Sequence, residues 1–233
     1  MKHEILLGLT TTPKSDWRGK VEEMKKFGIK KIALFPTFLK IDDRKELYKL
    51  LEDIDGLEIP HVHLRDDFKK EEMDLLCKKF KTRVFNIHSQ HFLPLMYDLS
   101  QYYPVIFVEN SGSEIPADYE LNKFGGVCID FSHLENARLT GNDVFEVFIE
   151  KINQYKIGCC HVSAIKKESH PDNFDIGNPG RAAFDEHLFC KLLEFDYIGQ
   201  YLQYLPYYIS LELENSFEEQ LKAKQYLEKI INT

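Results

Sequence analysis

Apolar positions along this chain fall into short β-rich runs that alternate with stretches of helical periodicity from one end to the other. The strand runs are EILLGLTT (4–11), KIALFPTF (31–38), EIPHVHLR (58–65), RVFNIHSQ (83–90), VIFVENSG (105–112), GVCIDFSH (126–133), IGCCHVSA (157–164) and YYISLELENS (207–216). Between them lie WRGKVEEMKKFG (17–28), RKELYKLLEDI (44–54), KEEMDLLCKKF (70–80), DVFEVFIEKINQY (143–155), EHLFCKLLEF (186–195) and FEEQLKAKQYLEKII (217–231), each predicted as a helix. In the first of these, Trp17, Val21, Met24 and Phe27 recur at helical spacing, and Gly28 supplies the stop. FLPLMYDLSQYY (92–103) and EIPADYELNKF (114–124) carry weaker helical patterns.

Eight strands, each followed by a helix-sized connection, predict parallel β/α units. Runs that are apolar on both faces fit a sheet covered by helices outside and packed within. Eight such units in 233 residues predict a single-domain (β/α)8 TIM barrel over residues 1–233. An open doubly wound sheet fits less well, because GLTTTP after the first strand lacks the glycine-rich phosphate turn. The one long connection, residues 164–206, is expected to hold a polar loop, IKKESHPDNFDIGNPGRAAFD (165–185).

Composition narrows the class. No apolar run approaches the roughly 20 residues that cross a bilayer, and the N-terminal stretch reads as a first strand rather than a signal peptide. A cytoplasmic protein is expected. Cys77, Cys128, Cys159, Cys160 and Cys190 form no C-x-x-C pair, which favours reduced thiols. A net charge of −8 disfavours nucleic acid as a partner.

In a (β/α)8 barrel the C-terminal strand ends carry the chemistry. Successive strands here deliver His63, His88, Glu109, Asp130, His161 and Glu212 near their exits, with His133 one turn past Asp130. On the last strand Ser210, Glu212 and Glu214 share one face while Ile209, Leu211 and Leu213 share the other. Carboxylates turned into a barrel need compensation, either from histidine donors or from a divalent cation. Any one of these residues alone fits a satisfied core position. Glu109, Asp130, His161 and Glu212 together suggest a cage for Mn²⁺, Mg²⁺, Co²⁺, Fe²⁺ or Zn²⁺.

With IFVEN, GVCIDFSHL and its D-x-x-H, CCHVSA, DIGNPGRAAFD and ISLELEN in this order, the chain resembles the xylose isomerase-like barrel superfamily. That group includes sugar phosphate isomerases and epimerases and the family-2 AP endonucleases. The resemblance implies metal ligation by Glu109, Asp130, His161 and Glu212. It makes His133 a second-metal ligand or substrate contact, and aligns His63 and His88 with histidines that hold extra zinc ions in the endonucleases. The expected activity is a divalent-metal-dependent sugar or sugar-phosphate isomerase or epimerase, working through a metal-stabilised enediolate with Glu109 and Glu212 moving the proton. The alternative is an AP endonuclease-like phosphodiester hydrolase. A binding barrel without catalysis is disfavoured, since both glutamates are present. The endonucleases' D-x-H before the glycine turn is incomplete here: Asp172 matches the acid, but Asn173 or Phe174 stands at the histidine, with His170 a substitute only if the loop shifts. Arg181, Lys166 and Lys167 are candidates for an anionic substrate group, with solvated surface cations as the plainer alternative. Phe35, Phe38 and Trp17 are candidates for an apolar wall.

Overall fold

The computed structural model describes residues 3–111, 115–172 and 180–232, without the side chains of Asp172 and Arg181. Eight of its strands are parallel and close on themselves: β1 (Glu4–Thr10), β2 (Lys31–Phe35), β3 (Glu58–His63), β4 (Val84–Ile87), β5 (Ile106–Glu109), β6 (Val127–Asp130), β7 (Ile157–Val162) and β10 (Tyr208–Leu211). Their order round the barrel is β1-β10-β7-β6-β5-β4-β3-β2, so every barrel strand has two neighbours and no edge remains. Closure excludes the open doubly wound sheet. Between β7 and β10 the chain adds an antiparallel hairpin, β8 (Ala164–Asp172) with β9 (Arg181–Glu186), outside the barrel.

Alternation along the strands sorts side chains into an outer core shared with the helices and an inner column. Apolar side chains fill much of the column: Phe107, Cys128 and Cys159 pack together low in it, while Leu6 and Ala33 pack with Phe35, which reaches up to His161. Two irregularities set the phase of the polar upper part. Val127 pairs with Ile157 but Cys128 with Cys159, so Gly158 is the extra residue of a bulge, and such bulges re-aim the side chains beyond them. A Cβ at Gly158 would stand 2.1 Å from Phe107 Cζ, which is why only glycine fits there. On β3, Ala33 pairs with His61 after Lys31 pairs with Glu58, placing Pro60 at an irregularity where its missing N–H is tolerated.

The helices are α1 (Trp17–Phe27), α2 (Ile41–Glu52), α3 (Lys70–Lys79), α4 (Asp118–Lys123), α5 (Phe131–Leu139), α6 (Val144–Ile152) and α7 (Phe217–Ile231). Asp16 caps α1 by accepting from Gly19 N at 2.9 Å, and Gly28 ends it at φ 64°. Ser216 and Glu219 cap α7 reciprocally. On α2 the Arg44 guanidinium is fully buried, held by both Glu72 oxygens at 2.8 and 2.9 Å, by Asp67 at 3.0 Å and by Leu39 O at 2.9 Å.

Four sequence expectations change, the polar loop expected over 165–185 being the β8–β9 hairpin. The run 126–133 is not strand throughout: β6 stops at Asp130, whose side chain accepts from His133 N and starts α5 at once. The segment 186–195 is not an α-helix. Glu186 is used in the hairpin, and Asn215 grips the Phe189 backbone at both N and O, so only 3₁₀ turns follow, at Leu192–Gln200 and Leu202–Tyr204. In 92–103 the helical pattern yields a single 3₁₀ stretch, Ser100–Val105, because Gln90 binds the backbone of Leu93 and Leu95 instead. The long connection is thus a hairpin followed by 3₁₀ turns. Among the described residues no helix is long and apolar enough to cross a membrane.

Candidate metal centre

At the C-terminal mouth of the barrel, one ligand atom from each of Glu109, Asp130, His161 and Glu212 lies within 4.8 Å of the others. All four residues are buried. Glu109 and Asp130 are the last residues of β5 and β6, Glu212 directly follows β10, and His161 faces inward from β7. His161 Nδ1 is the common neighbour, 3.2 Å from Glu212 Oε2, 3.5 Å from Glu109 Oε1 and 3.7 Å from Asp130 Oδ2. Two atoms of this group, Asp130 Oδ2 and His161 Nδ1, are buried without a hydrogen-bond partner among the described residues. Orphaned polar atoms of this kind are rare and need a reason. Three carboxylates and an imidazole that converge on a point fit a divalent cation, and the two orphans face that point.

Each ligand atom is fixed by the residue's other contacts. Asp130 spends Oδ1 on α5, accepting from His133 N at 2.9 Å and from Ser132 Oγ, which leaves Oδ2 turned to the cage. Asn110 clamps the Asp130 backbone at N and O, at 2.8 and 3.0 Å. His161 Nε2 lies 3.5 Å from Cys128 Sγ, so Nδ1 is the nitrogen left for a cation. Glu109 Oε2 takes His63 Nε2 at 3.0 Å and the Asn86 amide, leaving Oε1 toward His161.

The charges answer one another. Burial opposes ionisation of Glu109, but His161 and His63 outweigh it and hold the carboxyl well below its ordinary value. Burial likewise opposes Asp130, and His133 and His161 bring it down. For His161, burial favours the neutral ring, yet Glu109, Asp130 and Glu212 raise it well above the usual imidazole range. A bound cation would replace that proton. His88 goes the other way: burial, with His63 next to it, lowers it to about 4, so its ring is neutral near pH 7.

Beneath the cage runs a layer of residues to which the sequence expectations assign no part in the site. Ser210 Oγ meets His61 Nδ1 at 2.7 Å, His61 Nε2 meets Asn86 Oδ1 at 2.9 Å, and Asn86 donates to Glu109. His61, Asn86, Cys128 and Ser210 each stand two residues before His63, His88, Asp130 and Glu212. The period of a strand was the available signal: the same face, one layer down.

The other candidates divide. His63, His88 and Glu109 form a second possible metal group that shares Glu109 with the first. His63 Nδ1 donates to Leu64 O at 2.9 Å, and Nε2 points at Glu109. His133 lies at the edge of the cage, Nε2 3.9 Å from Asp130 Oδ2, with Nδ1 2.8 Å from Asp185 Oδ2. Glu214 is outside the four-residue group; its Oε2 accepts from Thr12 Oγ1 at 3.4 Å. Phe35 is buried and edge-on to His161, ring centres 5.0 Å apart, whereas Phe38 is exposed and Trp17 belongs to the helix core. Lys166 is engaged by Glu186 and Glu194, and Lys167 is exposed. His170 Nε2 lies 3.2 Å from Asp185 O, away from the cage group. Asn173, Phe174 and the glycine turn up to Pro179 lie outside the described residues, as do the side chains of Asp172 and Arg181.

No protein-family model matches the sequence, and no curated protein matches it. Among solved structures, an N-acetylneuraminate lyase from Mycoplasma synoviae aligns over 98% of this chain and 78% of its own, with a TM-score of 0.44 and 12% identity. Likeness at that level says nothing of the reaction, and the barrel assignment rests on the closed strand order.

Proposed function

We propose that the protein is a divalent-metal-dependent isomerase or epimerase of a small sugar or sugar phosphate. The observation that carries this reading is the four-donor group at the mouth, with two of its buried atoms otherwise unpartnered. Its similarity in motif order to the xylose isomerase-like superfamily supports the same chemistry. A divalent cation held there supplies a Lewis acid for a substrate carbonyl and its neighbouring hydroxyl.

The chain's own part is proton transfer and orientation. Glu109 and Glu212 come from strands three places apart round the barrel, so they approach a substrate from different sides. One removes the proton α to the carbonyl and the other returns it, the roles exchanging with direction. Glu212, at 7% exposure, is nearer solvent than Glu109 at 2%. His133 and His88 offer ring nitrogens to substrate hydroxyls, and Phe35 gives the pocket a dry wall beside His161.

Two measurements test this. Protein purified without added metal should carry one exchangeable divalent cation, and solvent tritium should enter a ketose in its presence. Full exchange in Glu109→Gln or Glu212→Gln would defeat the assignment of the two bases. A second reading, a zinc-dependent phosphodiester hydrolase, is favoured by the His63–His88–Glu109 group. About three zinc ions per chain and cleavage of an abasic oligonucleotide would select it.

A further inference from the structure

We infer that Asp185 positions His133 and so ties the β8–β9 hairpin to the candidate centre. This deepens the isomerase reading and rests on it for the effect on turnover only. Asp185 Oδ2 lies 2.8 Å from His133 Nδ1. A carboxylate only accepts, so the proton of that bond belongs to Nδ1, and Nε2 is turned the opposite way. There it stands 3.9 Å from Asp130 Oδ2, beyond hydrogen-bond length, facing the cage edge with its valence unspent.

The neighbouring contacts make this a defined placement. The His133 backbone is fixed from the cage side, its N–H donating to Asp130 Oδ1 at 2.9 Å. The hairpin grips α5 again one turn on, where Phe184 N donates to Asn136 Oδ1 at 2.9 Å. Asp185 itself gains little from its location, because Oδ1 is buried with no partner among the described residues. An unpartnered buried carboxylate oxygen costs stability, so a neutral side chain would serve the hairpin better. What the carboxylate adds is the orientation of one imidazole. The ligand chemistry this implies is a hydroxyl next to the metal-bound part of the substrate, met by His133 Nε2.

The test uses full-length, zinc-loaded protein labelled with ¹⁵N-histidine, the His133 ring signals being assigned through His133→Ala. Wild type should show His133 with a slowly exchanging proton on Nδ1. Asp185→Ala should lose it and Asp185→Glu should restore it. Zinc affinity should stay at the wild-type value in both variants, while turnover in the tritium assay falls about 10–100-fold in Asp185→Ala. An unchanged His133 ring in Asp185→Ala overturns the inference. So does a loss of zinc affinity as large as that of Asp130→Asn, which would make Asp185 a ligand. If Asp185→Ala does not fold, Asn136→Ala frees the hairpin at Phe184 and should loosen the same proton; an unaltered signal there is equally fatal. A wild type that exchanges no tritium removes the isomerase reading and leaves the ring-nitrogen result to decide this one.

Discussion

Asp130 does two jobs with two oxygens, and substitutions can separate them. Asparagine keeps Oδ1 as an acceptor for His133 N but replaces Oδ2, the orphan facing His161, with an amide that cannot ligate a cation. Alanine removes both. With free metal at about 100 times its dissociation constant, a single site stabilises the native state by about 2.7 kcal/mol. At about 2–4 °C per kcal/mol for a chain of this size, that is a rise in Tm of about 5–11 °C. Disturbing even an outer partner of a metal ligand can cost about 100-fold in affinity. A loss of that size leaves about 0.4 kcal/mol at the same metal concentration, or about 1–2 °C. Both variants should therefore lose most of the metal-induced rise. They should differ without metal: losing the helix cap costs about 1 kcal/mol, so Asp130→Ala should melt about 2–4 °C below Asp130→Asn. Calorimetric scans of chelator-treated protein, with and without Mn²⁺, read both effects. A full Mn²⁺ shift in Asp130→Asn would remove Asp130 from the ligand set, and equal metal-free melting points would remove its capping role.

Metal affinity should climb with pH, because the carboxylates hold a proton on His161 against its burial, and that proton must leave before the cation binds. The slope should be about tenfold per pH unit for each proton released, up to the raised value, and calorimetry in two buffers of different ionisation enthalpy counts the protons. A pH-independent affinity would contradict this. Arg44→Met should destabilise by about 3–5 kcal/mol, since Glu72 and Asp67 lose the buried guanidinium between them; a change in urea midpoint worth under about 1 kcal/mol would mean the pair is not buried in solution. Gly158→Ala should cost about 1–3 kcal/mol by forcing the Phe107 ring out of its place, and an unchanged Tm would show that the ring has somewhere else to go.

The barrel was readable because its strands are greasy on both faces and regularly spaced, a pattern few other folds require. The cage was readable because Glu109, Asp130, His161 and Glu212 interrupt those runs at equivalent points. What hid the rest is physical. Helix α5 has no apolar stripe: Phe131, Ser132, Leu134, Glu135, Asn136 and Ala137 are all buried, so FSHLENARL carries no amphipathic signal, FSH passes for the tail of a strand, and LENARL falls in no predicted element. The hairpin escaped because KKESHPD is polar at successive positions and so lacks the alternation of a half-buried strand. EHLFCKLLEF does have helical spacing, but Asn215, 26 residues beyond Phe189, competes for its backbone, and no local pattern reveals that.

The apolar plug low in the barrel makes the interior a blind well. Phe107, Cys128 and Cys159, packed together and buried beneath His161, fill the column there and leave a hydrated ion no room to pass. Traffic is therefore one-ended. An ion, its chelator and the reactant must all use the same doorway, so a reactant seated there acts as a cork that slows ion escape.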